Sequence, residues 1–297
     1  MREPKTIDVL LLILLGAIWG SAFFNIKIAT YTYDPITLVF VRVFFALMAL
    51  GIYCAYRNVK ILAFSKDWKM YALVGLTNIT IPFLLIAYGT NVVDSYLSAI
   101  LMSTTPLSGT LLAHFFTSNE KLNIFKSIGV TVGFLGVLFL FFDNLVISES
   151  NIFYAIVILC GSTFYVIGGI LTLKFLKNKG NENVSTSTIL WSLLFLLPFC
   201  LYQEPWNNLN PSMESTIALI YLGVFPTGIA WLLRFHILTK VGMVFQTQVA
   251  YLIPIFGVIF GYLLMDEQIT WKVLASLIII ISGIYIVKRG NKGIKNL

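Results

Sequence analysis

Charge is what this sequence has least of. Only 11% of its 297 residues are Asp, Glu, Lys or Arg, where a soluble chain uses roughly a quarter to cover its exterior. That shortage excludes an ordinary water-soluble fold. Histidine occurs twice and cysteine three times. Cys54, Cys160 and Cys200 all fall inside apolar runs without metal-ligand spacing, so they read as small core hydrophobes and no metal site or cofactor is expected. Two separated histidines do not make a catalytic set, so the chain does not read as an enzyme. No glycine-rich phosphate loop is present, which excludes an ATP-driven pump working without partner subunits. Basic residues outnumber acidic ones, giving a net charge of +7. They are scattered over short loops rather than gathered in a stripe with aromatics, so nucleic acid is not an expected partner.

Apolar residues fill the space that charge leaves. Mean hydropathy is +0.89 and 58% of the residues are hydrophobic, more apolar surface than a chain of this length buries against itself. Lipid must be part of its solvent. A helix needs about 20 apolar residues to cross a bilayer. Cutting the chain where charge or turn residues interrupt such runs gives spans at 8–28, 36–56, 68–88, 95–116 and 125–142, then at 152–173, 187–203, 214–233, 244–265 and 272–287. The expected fold class is therefore all-α, a polytopic membrane protein of ten transmembrane helices. Arg2 and Lys5 before the first span imitate the start of a signal peptide, but the apolar stretch is long enough to cross and has a counterpart later in the chain, so it is expected to be retained.

With both termini on the cytoplasmic side, the basic residues sort as short loops require. Arg2, Lys5, Arg57, Lys60, Lys66, Lys69, Lys121, Lys126, Lys174, Lys177, Lys179, Arg234, Lys240, Lys288, Arg289, Lys292 and Lys295 fall inside. Lys27 and Lys272 are left outside among Asp34, Asp94, Asp143, Glu149, Glu204, Glu214, Asp266 and Glu267. A wrong span count would scramble this sorting.

The chain also repeats itself. Gly20-Ser21-Ala22-Phe23-Phe24 matches Gly161-Ser162-Thr163-Phe164-Tyr165. Pro106, Gly109 and Glu120 match Pro254, Gly257 and Glu267, and Gly136 meets Gly283. The units run over 8–142 and 152–288, five helices each. An odd number of crossings makes the second copy enter from the opposite side, so the repeats are inverted, and such repeats hold a midplane site where the copies rock against each other. A proline-centred fourth helix, a Glu in the following loop, a Gly-rich fifth helix and an Arg in the second helix resemble the EamA-type family of the drug/metabolite transporter superfamily, from Asp8 to about Arg289. The resemblance implies an exporter or exchanger of small metabolites, often amino acids or related compounds, in a bacterial cell membrane. Uptake or exchange of a nucleotide-like metabolite is the alternative within transport. A membrane-embedded enzyme or a scaffold is the alternative outside it.

Arg42 lies inside the second span, where a guanidinium costs several kcal/mol unless paired or hydrated. It reads either as a contact for a substrate carboxylate or phosphate, or as a structural tie. Pro106 and Pro254 interrupt equivalent spans, which points to a transporter site. Thr105 lies beside the first; Gln246, Gln248 and Tyr251 lie beside the second. Asn78 before Pro82, and Pro226 before Thr227, add polar breaks in the third and eighth spans, so spans three, four, eight and nine are expected around the cavity. Trp19, Tyr88, Tyr165 and Trp231 read as cavity walls or as interfacial aromatics. His114 and His236 are candidates for proton exchange, since no Asp or Glu occupies the middle of a span. Gly129, Gly133, Gly136, Gly257 and Gly261 permit close helix packing, within one protomer or in a homodimer. The expected partners are a small-molecule substrate and membrane lipid.

Overall fold

Out of water, a backbone must satisfy its own N–H and C=O groups, and a helix does so within one segment. The computed structural model describes residues 5–116, 122–141, 149–176, 178–202, 211–241 and 249–292, and every regular element among them is helical. The first four are α1 (Thr6–Ala29), α2 (Pro35–Tyr56), α3 (Trp68–Gly75) and α4 (Ile81–Val92), the last two joined by a π-helical stretch at Leu76–Thr80. Next come α5 (Ser95–Ser103), α6 (Thr105–Phe116), α7 (Ile124–Phe141), α8 (Glu149–Phe175) and α9 (Asn181–Tyr202). A second π-helical stretch, Gly223–Ile229, links α10 (Met213–Leu222) to α11 (Ala230–Lys240), followed by α12 (Val249–Met265) and α13 (Trp271–Lys292).

Six helical segments are long and apolar enough to cross a membrane: Thr6–Ala29, Pro35–Tyr56, Trp68–Val92, Ile152–Thr172, Asn181–Tyr202 and Met213–Arg234. Shorter apolar helices lie at Ile124–Leu140, Val249–Met265 and Trp271–Val287. Together they describe a multi-pass membrane protein.

The structure departs from the expected spans at instructive places. The run at 95–116 is two helices meeting at Thr104. Pro106 has no N–H for the Met102 carbonyl four residues back, and the Thr105 hydroxyl donates to it instead. Pro226 likewise withholds a donor from Leu222, and the Thr227 hydroxyl supplies one at 2.8 Å. Helix α9 starts at Asn181 rather than 187, through a polar stretch in which the Ser185, Thr186 and Thr188 hydroxyls turn back onto the carbonyls of Asn181, Glu182 and Val184 instead of facing outward unpaired. Cys54 and Cys200 are buried as expected of core residues, whereas Cys160 is exposed on α8.

Packing follows a few closely paired helices. Helix α7 lies along α13, α1 along α12 and the α10–α11 segment, α4 along α8, α9 along α2 and α3, α12 along α5, and the second π-helical stretch along α2. One core cluster gathers Phe23, Leu38, Val43, Leu50, Phe83, Ile189 and Leu219 from α1, α2, α4, α9 and α10. A second joins α5–α8 to α13 through Ile100, Leu107, Val137, Ile158 and Ile280.

Candidate functional site

Helix α2 opens with Pro35, whose fixed backbone suits a first turn, behind an Asp34 cap that accepts from the Ile36 and Thr37 N–H groups at 2.9 and 3.1 Å. This anchored start fixes Arg42 about 10 Å into the helix, at 1.5 Å per residue. Arg42 is only 8% exposed. Its Nε donates to the Thr227 hydroxyl at 2.9 Å, and its guanidinium carbon lies 4.0 Å from the centre of the Phe83 ring. Among the described residues its terminal nitrogens have no hydrogen-bond partner and no carboxylate pairs with it. A buried cation with one neutral partner and one aromatic face keeps donors for an incoming anion.

Neighbouring helices converge on this point. Tyr165 of α8 packs edge-on against Phe83, ring centroids 6.1 Å apart. The Trp19 indole N–H of α1 donates to the Pro226 carbonyl at 3.1 Å, tying α1 to the π-helical stretch that presents Thr227. Two residues on, the Ser21 hydroxyl lies 2.7 Å from that of Tyr221. Helices α1, α2, α4, α8 and the α10–α11 junction thus surround the guanidinium.

Other candidates lie apart or at its edge. Asn78 meets α8 where Gly168 allows close approach: a Cβ on that glycine would sit 2.5 Å from the Asn78 Cβ. Tyr88 is 40% exposed, which suits an interfacial aromatic better than a cavity wall. Thr105 uses its hydroxyl on Met102. Trp231 packs under Arg234 with 4.8 Å from guanidinium carbon to ring centre. Tyr251 packs at the edge of the second core cluster. Pro82 and Pro226 are buried within or beside the two π-helical stretches, and α12 runs through Pro254 without interruption. The His114 Nδ1 accepts the Leu122 N–H at 3.2 Å, and His236 is exposed. Gln246 and Gln248 lie outside the described residues.

Phe83 and Thr227 touch Arg42 without standing among the expected site residues, and Arg234 and Glu267 are further unselected residues that lie apart from it. Thr227 was signalled by its place directly after Pro226. Arg234 had been assigned to a loop, yet it lies within α11. Glu267 binds the start of α5: it accepts from the Ser95 N–H at 2.6 Å, the Ser95 hydroxyl at 2.9 Å and the Tyr96 N–H at 3.2 Å. Nearby, Lys27 donates to the carbonyls of Asn91 and Val93 at the end of α4.

Comparison with known proteins adds independent findings. A model of the EamA-like transporter family matches residues 6–142 and again 152–289. The uncharacterized transporter YoaV of Bacillus subtilis is 23% identical over 269 residues, covering 90% of this chain and 92% of that protein. An uncharacterized transporter of Archaeoglobus fulgidus is 24% identical over 283 residues, covering 93% and 96%. One from Buchnera aphidicola is 28% identical over 274 residues, covering 90% and 86%. A solved crystal structure superposes with a TM-score of 0.70 at 14% identity, covering 96% of this chain and 98% of the other, a likeness of fold.

Proposed function

Because the chain belongs to the EamA-like transporter family, we propose that it is a secondary transporter that exports or exchanges small metabolites carrying an anionic group, amino acids or related compounds, by alternating access around a midplane cavity. The observation that carries this reading is Arg42, a buried guanidinium whose terminal donors meet no hydrogen-bond partner among the described residues. Hydrocarbon does not favour such a group without a partner. A substrate carboxylate supplies one.

Ten spans in two inverted repeats, 8–142 and 152–288, suit the packing. Numbering the spans in order, with α3–α4 as three, α5–α6 as four and α10–α11 as eight, lets each helix be exchanged for the one five places on. The neighbours one and nine then become six and four; three and six become eight and one; two and eight become seven and three. All of these pairs pack together, and five with ten, two with seven and four with nine map onto themselves. The π-helical stretches fall in spans three and eight. We place the protein in the cell membrane with both termini cytoplasmic, on the sorting of its Lys and Arg residues. Gly129, Gly133, Gly136, Gly257 and Gly261 all face close contacts within the protomer, so a homodimer, kept as part of this reading, would use other helix faces.

The test is a thermal-shift screen of purified protein against amino acids, nucleosides, nucleotides and other metabolites, followed by liposome flux of each hit. A hit whose flux disappears in Arg42→Ala, with the variant correctly inserted, supports the reading. Normal flux in that variant removes Arg42 from the site.

A further inference from the structure

Helix α11 carries a second arginine in a situation close to that of Arg42. The Nε of Arg234 is buried with no hydrogen-bond partner, and its guanidinium carbon lies 4.8 Å from the centre of the Trp231 ring. Among the described residues no carboxylate pairs with it. A buried arginine serving structure normally uses its donors on a carboxylate or on helix carbonyls. Arg234 has an aromatic face instead, as Arg42 does.

Placement links the two. Arg234 follows Thr227 by seven residues, about two turns and about 10 Å along the axis, the first steps through the π-helical stretch and the rest along α11. Ala230 and Ile237, on the adjoining stripe, are buried in a cluster with Leu12, Leu15 and Ile18 of α1 and with Val249. That contact fixes the rotation of α11 and places Arg234, part-buried with its Nε covered, beside the packed stripe. Arg42 already holds one end of this segment through Thr227.

We propose that Arg234 is a second anion-binding site, an inner station for the same small carboxylate or phosphate that Arg42 takes. This rests on Arg42 as the first anion contact. Two stations about two turns apart let one anionic group pass between cations across an otherwise apolar stretch, each site releasing it as the next becomes available.

Arginine-directed phenylglyoxal labelling of the wild-type protein in lipid-free maltoside, read peptide by peptide by mass spectrometry, tests the site without relying on any variant to fold. The probes are glutamate, succinate and inorganic phosphate, and the exposed Arg57 is the internal control. The proposal expects at least one probe to slow labelling of both Arg42 and Arg234, about tenfold at about ten times its Kd, with Arg57 unchanged. Protection of Arg234 should persist in Arg42→Gln. Protection of Arg42 alone would overturn the second site and leave the first standing. Protection of neither would overturn both. An Arg234 that is never labelled, or is shielded only after phospholipid is added, would be a sealed or lipid-bound residue and would also overturn the proposal.

Discussion

The Thr80 hydroxyl lies 2.7 Å from that of Ser192. It also donates to the Gly75 carbonyl five residues back, as Thr227 does to Leu222. Each threonine belongs to or closes a π-helical stretch beside a proline, and each reaches across to a neighbouring helix, Thr80 to α9 and Thr227 to α2. Ser192 therefore holds in α9 the place that Arg42 holds in α2. A neutral hydroxyl pair stands opposite a cationic one.

That asymmetry makes a paired prediction. Arg42→Ala removes charge-assisted bonds worth about 1.5–3 kcal/mol each, and should weaken substrate binding by about ten- to a hundredfold and abolish measurable flux. Ser192→Ala removes one neutral bond, worth about 1 kcal/mol, at a place with no charge to offer, so flux should stay within about fivefold of wild type. Liposome flux normalised to inserted protein decides it. Equal losses in both variants would mean that the two positions matter only for helix packing.

Much of the helical frame was legible from hydropathy alone, because the bilayer fixes how long an apolar run must be. What stayed hidden depended on where side chains send their hydrogen bonds. The Thr104 break and the second π-helical stretch go with carbonyls that Pro106 and Pro226 leave without an N–H and that adjacent threonines recapture, which a hydropathy window does not see. The crossing segment ends at Arg234, close to the expected bound, but its helix runs on to Lys240, which a cut at the first charge does not reveal. Arg42 was found because a lone cation deep in an apolar run is costly. Its partners Thr227 and Phe83 come from distant sequence that only the fold brings near.

Glu267 supplies a pH test. Burial raises its carboxyl pKa above the ordinary 4.5, outweighing the bonds from Ser95 and Tyr96 that pull it down. The folded state then holds the proton more tightly than the unfolded one. This contribution to stability is complete below the ordinary carboxylate range and is lost as pH rises through the raised folded value. Glu267→Gln should remove that loss, so its melting temperature should decline less than that of wild type as pH rises from about 4.5. Glu267→Ala should destabilise at every pH, by about 1–3 kcal/mol, because it strips acceptors from the first turn of α5. Parallel pH dependence in wild type and Glu267→Gln would refute the assignment.

The two matched prolines should not be equivalent. Pro106 follows a real interruption at Thr104, whereas α12 is continuous through Pro254. Replacing Pro106 by Ala restores an N–H and favours one straight helix from α5 into α6, which should slow turnover if that joint flexes between inward- and outward-facing states. Pro254→Ala starts from a helix already formed and should change turnover less. Exchange rates in liposomes at saturating substrate provide the comparison. A larger effect at Pro254 would locate the flexing joint in the other half of the molecule.

Helix contact makes the last prediction. A Cβ added at Gly283 of α13 would lie 2.6 Å from the Gly133 nitrogen and 2.7 Å from the Gly129 carbonyl of α7. Both obstacles are backbone, so neither rotates aside, and the helices would have to separate. Gly51 of α2 has nothing within 4 Å of the same position, so alanine there adds only helix propensity, about 0.5–1 kcal/mol. Thermal unfolding in detergent should therefore show Gly51→Ala at or above wild type and Gly283→Ala well below it or unfolded. Gly129→Ala should reproduce the loss, since its Cβ would lie 2.7 Å from the Gly283 carbonyl, whereas a Cβ at Gly133 meets the end of the Leu107 side chain and should cost less. If Gly283→Ala instead matched Gly51→Ala, helices α7 and α13 would have room to part, and their close approach would not be what holds this pair together.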